Sequence, residues 1–332
     1  MSPALRALLS GIIDYAGLFP PASLPLEQAI RNYARYRTEP EAWMLGRFVC
    51  PAERLKELSP FVDELFENGS PLVVSVLGHT AKSIDDMSTA TQKNLDDLAA
   101  SRKEHGDRVV IDVIEIRMPN AIKSGEPQPR EIKCHREEDP RSGPRRSTYY
   151  ETELGADWRK PLEEFIRLQG TMRQFAQALS TIHKKPLGSQ SRQPVGFKLR
   201  CGGVTAAAFP PPEQIAFALV SCRDVGIPFK ATAGLHHPIR QYRDEVKTKM
   251  HGFLNVFGAG VLAHACELTE QQVWDIIVDE DPKNFLFDDT SFRWKEHRAT
   301  VDQITAARQL VTSFGSCSFD EPRDDLRALG LL

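Results

Sequence analysis

Two lysines on short β-rich runs carry the chemistry this sequence could do. Lys198 stands in PVGFKLRCG (194–202) and Lys230 in IPFKATAGL (227–235), runs with the length and residue types of buried strands. Side chains alternate between the two faces of a strand, so Lys198 shares a face with Arg200, and Phe197, Leu199 and Cys201 take the other. The same alternation groups Lys230 with Thr232, Gly234 and His236. An ammonium beside other cations is expected to lose its proton more easily, and a neutral amine attacks a carbonyl to form a Schiff base. Lys198 is therefore the expected nucleophile, with Lys230 and Arg200 supplying positive potential.

Groups that could move the proton lie on neighbouring runs. RVVIDVIEIRM (108–118) offers Glu115 and Arg117, and STYYETEL (147–154) offers Tyr149, Glu151 and Glu153. Glu151, Glu153 or His236 is expected to act as acid or base while a C–C bond is cleaved or formed. Arg200, Thr232, Arg117, Glu153, Asp14 and Asn255 are expected to line the substrate. Unpaired buried ions are costly, so such a cluster either pairs internally, as Glu115 with Arg117 could, or meets a charged ligand. The expected ligand is a small anionic carbonyl compound.

Positioning these residues takes a parallel sheet. Eight β-rich runs can be marked, at 11–19, 43–50, 71–78, 108–118, 147–154, 194–202, 227–235 and 252–260. Helical patterns fall between or after them at 26–37, 52–66, 83–104, 161–185, 212–224 and 269–281, with Ser23 a candidate cap for the first. Eightfold alternation predicts a single (β/α)8, TIM-type α/β barrel over 1–332, with its chemistry at the C-terminal strand ends. A flat doubly wound sheet would be expected to carry a Gly-rich turn after its first strand, where DYAGLFPPA (14–22) stands instead. The polar, Pro-rich segment 119–147 is expected to be a mobile insertion. Residues 285–332 are expected to form a C-terminal extension whose helix, 301–314, packs outside the barrel or closes its bottom.

Composition bounds the function classes. A hydrophobic share of 41% and a charged share of 26% allow a large core, and the net charge of −3 with scattered Lys and Arg predicts no nucleic-acid or membrane partner. No run reaches the ~18 apolar residues of a membrane span, which points to a cytoplasmic protein. The six cysteines are widely spaced and are expected to be reduced thiols; homo-oligomer formation stays open. No cofactor motif is present, and the absence of HxH or HExxH spacing leaves no metal ligand set assigned.

The stretches GFKLRCGG (196–203), PPPEQIAFALVSCRDVGIPFKATAGLH (210–236) and VFGAGVLA (256–263) resemble strands six, seven and eight of class I aldolases of the deoxyribose-phosphate aldolase type. The resemblance implies that Lys198 is the Schiff-base lysine, that Lys230 perturbs it, and that Asp112 or Glu115 is the acidic residue of strand four. Arg200 and Cys201 stand where that family has small hydroxyl residues, and Leu235 with His236 replaces its phosphate-binding turn, so a sugar phosphate is not implied. DYAGLFPPA, Lys198-x-Arg200-x-Gly202-Gly203 and KATAGLHHP (230–238) together resemble a little-characterised barrel family of unsettled activity.

The expected activity is thus that of a class I aldolase-like lyase. Two alternatives stand beside it. One is a metal-assisted lyase or isomerase that stabilises an enolate through Mg2+ or Zn2+, held by His236 with Glu151, Glu153 or Asp14. The other is a barrel that binds an anionic ligand without catalysis.

Overall fold

β-branched and aromatic residues set the barrel strands, and helices with one apolar face or none polar cover them. The computed structural model describes residues 1–66, 70–118, 147–151, 159, 163, 165–166 and 195–332. In chain order the elements are α1 (Pro3–Leu9), β1 (Ile13–Tyr15), α2 (Leu26–Tyr36), β2 (Leu45–Pro51), α3 (Ser59–Leu65), β3 (Leu72–Leu77), α4 (Ile84–His105), β4 (Val109–Arg117) and β5 (Ser147–Glu151). They continue with β6 (Val195–Arg200), α5 (Pro212–Val225), β7 (Phe229–Thr232), β8 (Gln241–Arg243), β9 (Thr248–Met250), α6 (Phe253–Cys266) and α7 (Glu270–Val278). The last are β10 (Phe285–Phe287), β11 (Ser291–Trp294), β12 (His297–Thr300), α8 (Val301–Ala307), β13 (Val311–Ser316) and α9 (Asp320–Ala328).

Eight parallel strands close into an α/β barrel of the TIM type, in the order β1, β13, β7, β6, β5, β4, β3, β2. A hairpin of β8 and β9 and an antiparallel sheet of β10, β11 and β12 stand apart from the barrel. Contacts divide the chain into two compact units, Met1–Gly46 with Leu199–Leu332, and Arg47–Lys198.

Within Arg47–Lys198, strand parity separates apolar from polar. Tyr150 of β5 and Phe197 of β6 pack on Phe165, with ring centroids 6.2 and 5.4 Å away. Their neighbours Glu151 and Lys198, paired in register, take the opposite face. β4 carries one extra residue against β3: Val74 pairs with Ile111 but Ser75 with Val113, leaving Asp112 between them. Arg47 receives the Asp112 carboxylate in a fork of 2.6 and 2.7 Å.

In the other unit, Phe314 of β13 stacks on Phe253 at 5.4 Å and meets Phe257 at 5.5 Å, both on α6. α7 and α8 begin with reciprocal caps, Thr269 with Gln272 and Thr300 with Gln303. Ser23 caps nothing: it has φ of +46°, and α2 starts behind Pro25 without a side-chain cap.

The eighth strand differs from the sequence expectation. Run 252–260 is helical from Phe253 on, forming the first part of α6, and the eighth barrel strand is β13, which starts within the segment expected to be helix, 301–314, after α8 has taken its first half. α6 is buried on every side from Phe253 to Ala263, so it shows no 3.6-residue period. Its Gly258 and Gly260 lie against Phe292 and Val311, too close for a Cβ. Residues 285–332 are therefore no mere extension, because they supply a barrel strand. The expected insertion 119–147 lies outside the described residues except for Ser147, as does most of the helical pattern at 161–185.

Phe314→Ala is expected to lower unfolding stability by about 3–5 kcal/mol through loss of a fully buried ring. Denaturant titration measures this, and an unchanged midpoint would contradict the packing of β13 on α6.

Candidate active site

Three strands of the Arg47–Lys198 unit bring a lysine and two carboxylates together. Lys198 Nζ lies 2.6 Å from Glu115 Oε2 and 2.7 Å from Glu151 Oε2. The register explains the meeting, since Arg117 pairs with Glu151 and Glu151 with Lys198, which places Glu115, Glu151 and Lys198 on one face. Ser75 on β3 shares that face, and its hydroxyl donates to Glu115 Oε1 at 2.6 Å. Ser75, Glu115 and Lys198 are buried, and Glu151 is mostly covered but slightly exposed.

The sign of the effect on Lys198 is opposite to the expectation. Burial pulls its ammonium toward neutrality, but Glu115 and Glu151 outweigh this and hold it above the ordinary lysine range. A resting Lys198 is thus charged, with two proton acceptors already in hydrogen-bond contact. Glu115, not Asp112, is the acid of β4 that reaches the lysine. Arg117 stands exposed at the end of β4, and Arg200 exposed at the end of β6.

The second unit holds its own lysine cluster. Lys230 Nζ donates to Asp14 Oδ2 and, at 3.3 Å, to Ser313 Oγ, and the Ser313 hydroxyl donates to Asp14 Oδ2 at 2.8 Å. All three residues are buried. Gly46 leaves room for this arrangement, because a Cβ there would collide with Asp14 Oδ1. Thr232, half-buried, follows Lys230 on the same face.

His236 is turned toward α9, where its Nδ1 lies 2.9 Å from Glu321 Oε2; His237 Nδ1 lies 2.6 Å from Asp325 Oδ2 of the same helix. The hydrogen bond from His236 holds the Glu321 carboxyl below the ordinary range. Asn255, expected on a strand at the substrate, sits instead on α6. It accepts from Arg240 N at 2.9 Å and donates to the carbonyls of Ile276 and Asp279 at 2.8 Å each. Its role there is to tie the loop before the β8–β9 hairpin to the end of α7. Glu153 lies outside the described residues.

Ser75, Ser313 and Glu321 were not anticipated as partners. A lone Ser inside LVVSVL was a signal, since a buried hydroxyl needs a partner. Five cysteines among the described residues are free, and burial pushes the Cys201 thiol up to about 12. Among the described residues no three His, Cys, Asp or Glu side chains gather to hold a metal ion, and no helix is long and apolar enough to cross a membrane.

No family model matches the chain, and no curated protein or solved structure matches it either. The segment resembling strand eight of the aldolases, 256–263, lies in α6.

Replacing either Asp14 by Asn or Lys230 by Met is expected to cost about 3–5 kcal/mol of stability, because the remaining buried charge loses its partner. The double variant should lose less than the sum of the two. A double-mutant cycle from urea unfolding checks this, and additive losses would show that the two groups are not coupled.

Proposed function

We propose that the chain is a class I aldolase-like carbon–carbon lyase that acts through a Schiff base on Lys198, with a small anionic carbonyl compound as substrate. The observation that supports it is the Lys198 ammonium set between Glu115 and Glu151 on the polar inner face of β4, β5 and β6. The resemblance of GFKLRCGG to the strand of class I aldolases that bears their reactive lysine points the same way.

The chemistry follows from these three groups. When a carbonyl compound enters, a carboxylate takes a proton from Lys198, and the neutral amine attacks the carbonyl carbon. Loss of water leaves a protonated imine, which draws in the electron pair released as the neighbouring C–C bond breaks. A carboxylate within reach of Lys198 then serves the proton transfers of cleavage and product release. Arg117, exposed at the end of β4, supplies positive charge for the anionic group of the substrate. Lys230, Arg200, Thr232 and His236 belong to the other compact unit and are given no step.

Borohydride trapping with a panel of aldehydes and 2-keto acids tests the reading. A mass adduct is expected on the wild-type chain and none on Lys198→Ala or Lys198→Arg. Failure of every carbonyl compound to leave an adduct on Lys198 would sink it.

A further inference from the structure

The two carboxylates on Lys198 differ in what else they touch. Glu115 engages both oxygens, Oε1 with the Ser75 hydroxyl and Oε2 with Lys198, each at 2.6 Å. Its backbone is fixed as well, since Gly78 N donates to Glu115 O at 2.9 Å. Glu151 reaches Lys198 through Oε2 at 2.7 Å, and among the described residues its side chain meets no other partner. The Glu151 side chain is also the more open, 12% exposed against 3% for Glu115.

We infer that Ser75 is a positioning residue that fixes Glu115 as the standing counter-charge of Lys198 and leaves Glu151 as the carboxylate that carries the proton. The inference rests on the Schiff-base reading for its catalytic meaning. A donor aimed at a carboxylate favours its charged form. A proton arriving on Glu115 must therefore disturb the Ser75 bond or the Lys198 bond, and Glu115 is sealed from solvent. A proton arriving on Glu151 disturbs only the Lys198 contact and sits on the more exposed of the two carboxylates.

Glu151 Oε2 takes a proton from Lys198 Nζ, and the amine lone pair forms the C–N bond while the carbonyl π pair moves to oxygen. That oxygen takes the proton from Glu151, the nitrogen returns one to Glu151, and Glu151 then protonates the leaving hydroxyl, which departs as water. In sum the ammonium and the carbonyl give a protonated imine and water, and Glu151 ends ionised as it began. Among the described residues of this unit, the charged groups arranged around Lys198 are Glu115, Glu151 and, in register with Glu151, Arg117.

The test is the pH profile of Lys198 acetylation by acetic anhydride, read by mass spectrometry on the full chain, beside cyanoborohydride trapping with pyruvate and glycolaldehyde. Without the Ser75 hydroxyl, Glu115 loses the bond that fixes its Oε1 and can turn from Lys198, which then loses part of its counter-charge. Ser75→Ala is therefore expected to raise the reactive amine at a given pH roughly tenfold, the effect of one hydrogen bond to a charged group, moving the midpoint to lower pH. Ser75→Thr should restore the wild-type midpoint. Glu151→Gln should slow trapping roughly a hundredfold. Should Ser75→Ala fail to fold, Ser75→Cys keeps the shape with a far weaker donor and is expected to give the same shift. A hydroxyl that only filled space would change the melting temperature and leave the midpoint where it was, and an unmoved midpoint in a folded variant overturns the inference. A moved midpoint without any carbonyl adduct on the wild type would leave the positioning role of Ser75 standing and remove the Schiff-base reading.

Discussion

A charge inside a protein has to be matched where it stands, and around Lys198 that requirement fixes three strands at once. Its ammonium reaches Glu115 and Glu151 only while β4, β5 and β6 keep the pairing Arg117 to Glu151 to Lys198. A slip of one residue would turn Lys198 outward and bring Phe197 inward, breaking the ion pairs and the packing on Phe165 together. Register, burial and the polar centre are thus a single constraint seen from three sides.

The two units treat their lysines differently. Lys230 is locked to Asp14 and Ser313 with all three groups buried, which suits a fixed part of the architecture. Lys198 faces two carboxylates, one of which is partly open. A lysine held by a closed partnership resists change, whereas one with an accessible acceptor can lose and regain a proton without leaving a charge stranded. That contrast is why the proposed chemistry is placed on Lys198.

Much of this was legible in the chain. Alternation along GFKLR separates Lys198 from Phe197, and alternation along IEIR and YYE marks Glu115 and Glu151 for the same face. The sign of the effect on Lys198 was not legible, for a geometric reason. Residues two apart on a strand are separated by ~6.6 Å of rise, while strands lie only ~4.8 Å apart, so the cross-strand carboxylates reach the ammonium before Arg200 can. The last strand was hidden by its own content, because its inward positions carry Ser313 and Gly315, and VTSFGS lacks a strong apolar signature. α6 misled in the opposite direction: enclosed on all sides, it reads as a run of core residues with no helical period.

The pairing of the first and last barrel strands has a consequence for how the chain comes into being. Asp14 and Ser313, which share a hydrogen bond, stand 299 positions apart. On the ribosome, β1 emerges before its neighbour β13 (Val311–Ser316) and waits with one edge open while the chain between them is made. A native contact of such sequence separation forms late and slowly. An uncovered parallel edge is also an invitation to wrong partners. The barrel is therefore open to misassembly while the chain between the two strands is being made, and chaperone protection of β1 would act over that interval.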